Sequence, residues 1–274
     1  MITRTSSALA EFATLRALFL RAVRASFAYK PAILLSMLSA GFAYLIPMLV
    51  WRHIYAARSG PQLIAAGELF PYLLIAGCLN FAFAMNVEAR IGQRIRMGLI
   101  ATDLLRPVDF QLAQLAQALS DGLFNLLLMV PIFGVALAVW GHGALPHSGA
   151  AFAAFSVSVL LSFVILFAVS FIFVQATFVT YSGYGVFVMR NALQQTFSGL
   201  SAPLVLFPPA LRAVSEWLPF RHTIHTPVSI YLGWLSGNQV WRALGAQALW
   251  AGALLVLGRL LLHRALRRFE IQGG

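Results

Sequence analysis

The side chains that most often carry catalysis are sparse in this chain. The six histidines include one close pair, His222 and His225, whose i, i+3 spacing could place two imidazoles on one helix face. No His-Glu-x-x-His motif accompanies the pair, so the sequence predicts no metal site. Lys30 is the only lysine and has no glycine-rich context, which excludes a phosphate-binding loop. We therefore predict no catalytic residue, no metal and no bound cofactor in this chain.

Carboxylates within apolar segments would indicate a proton or sodium relay. Glu68, Asp109 and Asp121 all lie at or near the ends of predicted helices, and the two halves of the chain show no internal repeat. An ion-coupled carrier is therefore the weaker alternative. An intramembrane enzyme is a further alternative, but it needs Ser, His or Asp clustered at depth, whereas these histidines lie in loops or at helix ends.

The composition indicates a membrane protein. Hydrophobic residues make up 60% of the 274 residues, charged residues only 10%, and the mean hydropathy is +0.83. Soluble domains contain roughly 45–50% apolar residues. The 68 residues between Asp121 and Arg190 contain no Asp, Glu, Lys or Arg, which is more than two bilayer crossings of about 20 residues each. The sequence therefore predicts an all-α, polytopic membrane protein.

Six stretches with few or no charges predict six transmembrane helices in one transmembrane domain, residues 1–274. They are residues 31–51, 69–87, 122–140, 151–180, 191–207 and 243–258. The third helix is expected to begin earlier, near Phe110, because Gln111, Gln114 and Gln117 repeat at a spacing of three. A glycine- and proline-containing break at residues 141–146 separates the third helix from the fourth.

The positive-inside rule orients these spans. With six spans, one side carries 14 basic residues and the other carries 5. Both termini are therefore predicted to be cytoplasmic. Topology and contact with anionic lipid headgroups of the bilayer account for the net charge of +11, and we predict no nucleic-acid partner.

Residues 1–30 are predicted to form an amphipathic helix in the membrane interface. An apolar stripe recurs at three- and four-residue spacing, and Arg21 and Arg24 fall away from it. The stripe consists of Phe12, Leu15, Phe19, Val23 and Phe27. The alternative is a solvated tail with incidental periodicity.

Residues 88–109 are dense in charge. Arg90 and Arg94 are four residues apart, as are Ile91 and Ile95, so a short helix with one apolar edge is predicted. Proline disfavours helix continuation after the run from 104 to 106. Leu104 and Leu105 are expected to be exposed to a partner surface. The alternative is an ordinary basic loop that anchors the topology.

Residues 197–233, which we call the outer segment, are apolar but interrupted by prolines and glycine. Such a stretch is too broken to be one straight span. Non-helical backbone at membrane depth requires protein or water to satisfy it. We therefore predict short re-entrant helices on the outer side, with a merely hydrophobic outer loop as the alternative.

These segments resemble those of the type-2 ABC exporter permeases over nearly the whole chain. The outer block reads Phe197-Ser-Gly-Leu-Ser-Ala-Pro-Leu204, then Phe207-Pro208, Trp217-Leu-Pro-Phe220, Pro227 and Gly233, similar to a glycine, proline, Leu-Pro-Phe succession in that family. The run from Gly98 to Leu-Leu-Arg-Pro107 is similar to a subgroup that pairs two permeases with one ATPase. The C-terminal run from Arg268 to Gly274 also resembles that subgroup.

The resemblance implies that residues 88–109 contain a coupling element that docks on a separate ABC ATPase subunit, which holds the ATP and Mg. We therefore call residues 88–109 the coupling segment. The ATPase-coupling residues would be Arg90, Arg94, Gly98, Leu99, Asp103, Leu104, Leu105, Arg106 and Pro107. The re-entrant residues of an outer gate would be Gly199, Pro203, Pro208, Pro219 and Phe220. It also implies a second permease, identical or homologous, and a place in the bacterial inner membrane.

No portable motif identifies the substrate path. Asn80, Asn125 and Gln175 are candidates because they are polar side chains in apolar spans. For each of them the alternative is a role in helix packing or at a helix end.

Overall fold

The computed structural model describes residues 14, 16, 17, 20, 30–57, 63–105, 108–140, 148–180 and 183–267. These residues form α-helices and short 3-10 turns and contain no strand. The predicted interfacial helix at residues 1–30 lies almost entirely outside the described residues. The predicted break at 141–146 and the coupling residues Arg106 and Pro107 also lie outside them.

Seven α-helices precede the outer segment in the described chain. They are α1 (Lys30–Ala57), α2 (Ala66–Ala82), α3 (Val87–Arg96), α4 (Ile100–Leu104), α5 (Phe110–Trp140), α6 (Gly149–Thr180) and α7 (Gly183–Phe197). The start of α5 at Phe110 confirms the early beginning predicted for the third span. The short helix predicted in the coupling segment is α3.

The outer segment contains several short helical pieces. They are a 3-10 turn at Leu204–Leu206, α8 (Pro209–Trp217), a second 3-10 turn at Pro219–His222 and α9 (His225–Tyr231). The last described helix is α10 (Asn238–Arg267). Pro209 lies in the first turn of α8, where its missing N–H removes no helical hydrogen bond.

Four helical stretches of the described chain are long and apolar enough to cross a membrane. They are Ala66–Arg96, Phe110–Val135, Gly149–Thr177 and Asn238–Leu266. They coincide with the second, third, fourth and sixth predicted spans. The first predicted span falls on α1, which has 28 residues but is not one of the four.

The fifth predicted span differs from the structure. The sequence predicts a helix over residues 191–207, whereas α7 begins at Gly183 and ends at Phe197. Its 15 residues rise about 22 Å, less than the roughly 30 Å of the hydrocarbon core. Absence of charge set the predicted start, but the buried Arg190 lies within the helix. Apolar residues after Phe197 belong to the outer segment instead.

The α6 helix is the centre of the fold. It packs against α3, α7, α9 and α10. Leu166, Phe167 and Phe171 on this helix are at most 1% exposed. Because α6 is apolar on all sides, it can be surrounded by other helices without burying an unpaired charge. This core fixes α3 and α7 at one end and the outer segment at the other.

Candidate coupling segment, chambers and outer segment

The coupling segment folds as two short helices joined by a tight turn. Ile91 and Ile95 on α3 are 0% and 7% exposed, so one edge of the helix packs on the core. Gly98 in the turn has a φ of 68°, a conformation that L side chains rarely adopt. The turn reverses the chain, and α4 then follows.

Two arginines of this segment, Arg90 and Arg94, are paired within the chain. Nη1 of Arg90 donates to a carboxylate oxygen of Asp121 on α5 at 2.9 Å. Arg94 forms a two-pronged pair with Asp103, in which Nη2 donates to Oδ1 at 2.7 Å and Nε donates to Oδ2. A two-pronged arginine–carboxylate pair fixes orientation as well as distance. These arginines therefore hold α3 against α5 and α4.

Three exposed apolar side chains flank α4. Met97 and Leu99 before the helix are 60% and 41% exposed, and Leu105 after it is 84% exposed. We call these three residues the apolar tip. Leu104 corrects a prediction: it is half-buried and packs on the core, because α4 places it on the inner face while Leu105 points away. Met97 was missed because it is a single apolar residue between Arg96 and Gly98.

The α3 helix touches the start of α7 backbone to backbone. A Cβ on Gly183 would lie 2.3 Å from the Glu88 carbonyl oxygen, and a Cβ on Gly92 would lie 2.7 Å from the Gly183 Cα. Backbone cannot yield as a flexible side chain can. The two glycines are therefore what allows α3 and α7 to approach so closely.

A buried ion pair joins the same two helices. Nε of Arg190 donates to a Glu88 carboxylate oxygen at 2.8 Å, and their side chains are 3% and 0% exposed. Nη1 of Arg190 also donates to Asn191 Oδ1 and Gln194 Oε1, both at 2.8 Å. Sequence reasoning treated Arg190 only as a topology marker. The signal was its isolation, since it is the only charged residue between Asp121 and Arg212.

Two cavities lie in this part of the structure. The first, of about 180 Å³, is lined by Arg190, by five amide side chains and by four apolar residues that include Phe83 and Phe187, and we call it the polar chamber. The second, of about 240 Å³, is lined by Pro47, Leu73, Leu74 and Leu200 among others, and we call it the apolar chamber. Asn80 lines both chambers.

The other two substrate-path candidates make contacts within the protein. Nδ2 of Asn125 donates to the Ala84 carbonyl at 3.0 Å and so joins α5 to the end of α2. Nε2 of Gln175 donates to the Phe171 carbonyl of its own helix at 2.8 Å. Of the three candidates, Asn80 is the one that lines the two cavities described above.

Neutral hydrogen bonds fasten the start of the outer segment. Gly199 has a φ of 80°, and its carbonyl accepts a hydrogen bond from the Tyr72 hydroxyl at 2.8 Å. Nε1 of Trp51 donates to the Ser201 carbonyl at 3.1 Å. Tyr72 also stacks on Trp234, with ring centroids 5.4 Å apart. Aromatic side chains of α1 and α2 thus satisfy carbonyls that the broken backbone leaves free.

The remaining residues predicted for the outer gate occupy different environments. Pro203 is buried before the first 3-10 turn, and Pro208 is exposed before α8. Pro219 begins the second 3-10 turn, and Phe220 is 6% exposed against α6 and α10. Each proline therefore begins or precedes a short helical piece.

A buried polar cluster holds the second 3-10 turn. Nε2 of Gln247 on α10 donates to the His222 carbonyl at 2.8 Å and to Ser162 Oγ on α6 at 2.9 Å. Ser158 Oγ donates to Gln247 Oε1 at 2.8 Å. Burial and the nearby Arg221 lower the pKa of His222 to about 4, so its ring is neutral at pH 7. It is within hydrogen-bonding distance of Thr226 Oγ1, at 3.1 Å.

Comparison with known proteins identifies the family but gives no close relative. The model of a family described as ABC-2 family transporter protein matches residues 63–273, well over half of the chain. No curated protein matches it. The match includes the coupling segment, the polar chamber and the outer segment, and all of the apolar chamber except Pro47 and Met48. It confirms the resemblance to type-2 ABC permeases. With its long apolar helices, this chain is a multi-pass membrane protein that belongs to the ABC-2 transporter family.

Proposed function

We propose that the chain is the permease subunit of an ABC exporter and that a separate ATPase drives it. The apolar tip is the observation that carries this proposal. Met97, Leu99 and Leu105 are exposed on either side of α4, in a segment where Arg90, Arg94 and Asp103 already pair within the chain. Burying these apolar side chains in a groove of the ATPase would be favourable.

The proposed coupling route runs from the tip through α3 to α7. The Arg94–Asp103 pair joins the tip to α3, and the Arg90–Asp121 pair joins α3 to α5. The Gly92–Gly183 contact and the Glu88–Arg190 pair join α3 to α7. A displacement of the tip would therefore shift the helix that lines both chambers.

The rest of the assembly follows from the size of the chain. We propose that two permeases, identical or homologous, enclose the path with two copies of the ATPase in the bacterial inner membrane. Both termini and the coupling segment would be cytoplasmic, in keeping with the positive-inside rule. The outer segment would dip into the outer leaflet and close the exit, because its irregular backbone is hydrogen-bonded by protein.

Copurification of the ATPase tests the proposal. The permease is expressed with its proposed ABC ATPase subunit, and the Leu99→Asp/Leu105→Asp double variant is compared with wild type. A carboxylate in a docked apolar contact loses its hydration without a partner, which costs several kcal/mol. We expect the double variant to lose the ATPase while remaining monodisperse in detergent.

The matched control is the Trp217→Asp variant. Trp217 is also 84% exposed, but it lies at the end of α8 in the outer segment. It should retain the ATPase. Equal retention by the tip variant and the control would contradict the proposed docking site.

A further inference from the structure

The two chambers are neighbours that share part of their lining and differ in chemistry. Asn80 at the end of α2 and Gln195 on α7 line both of them. Neither the polar chamber, at about 180 Å³, nor the apolar chamber, at about 240 Å³, reaches the roughly 300–1,000 Å³ of small-molecule sites. The two together do. A ligand that fills the site must therefore present different chemistry at its two ends.

The amides of the polar chamber are available to a ligand. The side chains of Asn80, Asn86 and Gln195 make no hydrogen bond within the described part of the chain. Each carboxamide carries two donors and one acceptor oxygen. Polar groups that face a cavity take their partners from water or from a ligand. Hydroxyl and carbonyl groups are suited to such a mixed set of donors and acceptors.

The electrostatics of the polar chamber favour a neutral ligand. Arg190 is the only charged residue in its lining, and Glu88 neutralises it at 2.8 Å. Its N–H groups also hold the oxygen atoms of Asn191 and Gln194. An ionic group would enter without a free counter-charge, so no ion pair would offset the free-energy cost of removing its water.

We infer that the two chambers bind a neutral amphiphile, with an uncharged head rich in hydroxyls or carbonyls and a hydrocarbon tail. This inference rests on the proposed export function. The head lies among the amides near Asn86, and the tail lies along Leu73 and Leu74, about two turns of α2 farther from the coupling segment. An amphiphile of the cytoplasmic leaflet has the same orientation.

The outward end of the apolar chamber is closed by the start of the outer segment. Leu200 and Ser201 line that end. The carbonyls on either side of Leu200 accept hydrogen bonds from Tyr72 and Trp51. A tail in this chamber would therefore contact the part of the outer segment that these two hydrogen bonds hold.

Protection of a single cysteine tests the site without using ATP hydrolysis. Ser201→Cys is placed in a Cys78→Ala background, since Cys78 is the only native cysteine, and the full chain with its ATPase is reconstituted in lipid nanodiscs. N-ethylmaleimide labelling is followed with octyl glucoside, octyltrimethylammonium or octyl sulfate below micelle-forming concentrations, and with glucose alone. We expect octyl glucoside to slow labelling at least fivefold, and the other three to have little effect.

Variants of the shared amides then test the head-group assignment. Asn80→Leu should raise the half-protecting concentration of octyl glucoside at least tenfold, and Asn80→Gln should restore most of it. Gln195→Leu should act as Asn80→Leu does, and it alters an exposed side chain that folding tolerates. The control Gln239→Leu, on the exposed start of α10, should change nothing.

Several results would overturn the inference. They are equal protection by all three octyl compounds, no protection by any, and protection by octyl glucoside that neither Asn80→Leu nor Gln195→Leu weakens. ATP hydrolysis is recorded in the same nanodiscs. Selective protection without any stimulation of hydrolysis would support the site but count against the export function. Stimulation without protection would support the function and contradict this site.

Discussion

The two ends of the molecule are held by different kinds of bond. In the coupling segment, arginines pair with carboxylates of neighbouring helices, as in Arg90 with Asp121 and Arg190 with Glu88. In the outer segment, neutral donors hold backbone carbonyls, as Tyr72 holds Gly199 and Gln247 holds His222. The ion pair on α8, Arg212 with Glu216, is 3.6 Å long and half-exposed.

This difference follows from what each end must do. Charge pairs fix the direction of a helix rigidly, so the coupling segment can hold an unpartnered apolar tip in place. The irregular outer backbone has free carbonyls, which neutral side chains satisfy without bringing an uncompensated charge near lipid. The first arrangement suits transmission of a force, and the second suits closure.

The largest effect is expected from breaking the buried pair. Arg190→Ala leaves the Glu88 carboxylate buried and unpaired, which typically costs about 3–5 kcal/mol. Thermal unfolding in detergent should show a large drop in the midpoint. Arg212→Ala, which removes the half-exposed outer pair, should cost less than about 1 kcal/mol. Similar decreases in the unfolding midpoint for the two variants would contradict the proposed difference between the two ends.

A smaller loss is expected where α3 and α7 touch. A methyl group at Gly183 would meet backbone that cannot move aside, so Gly183→Ala should cost about 1–3 kcal/mol and weaken coupling to the ATPase. The control is Gly245→Ala on α10, where a Cβ meets nothing within 4 Å and helix propensity improves. Unfolding midpoints and substrate-stimulated ATP hydrolysis measure both effects. An unaffected Gly183→Ala protein would remove this contact from the coupling route.

The smallest effect is expected in the polar cluster of the outer segment. Gln247→Leu removes the donor to Ser162 and one of the two donors to the His222 carbonyl, which Ser162 Oγ still holds at 2.8 Å. Ser158 loses its acceptor but can turn to a carbonyl of its own helix. We expect a cost of about 1 kcal/mol in unfolding experiments, with the ATPase still bound. Loss of the ATPase from this variant would mean that the two ends are not held independently.

The sequence predicts the helical membrane fold and a short helix within residues 88–109. Uncharged length predicts most spans, because lipid excludes unpaired charge. The start of α5 at Phe110 was predicted from the glutamine spacing. The bounds of α7 could not be predicted in the same way, because an isolated arginine such as Arg190 normally indicates the membrane surface and here lies within the helix. Its burial depends on Glu88, which is 102 residues away along the chain.

The candidate site was harder to predict because it depends on tertiary pairing. Spacing alone could not show that Arg90 and Arg94 face carboxylates of this chain and not a partner. It also could not separate Leu104, which packs inward, from Leu105, which is exposed. Both Asn80 and Asn125 are polar residues in apolar spans, but Asn80 lines two cavities whereas Asn125 donates to the Ala84 carbonyl.

Site-directed crosslinking tests directly whether the ATPase binds the apolar tip. Leu105→Cys in the Cys78→Ala background is treated with a short bifunctional thiol reagent in membranes that contain the ATPase with single introduced cysteines. We predict a permease–ATPase crosslink whose yield changes when ATP is bound, and none from Trp217→Cys, which is equally exposed in the outer segment. No crosslink from position 105 at any ATPase position, or equal yields from positions 105 and 217, would contradict the account.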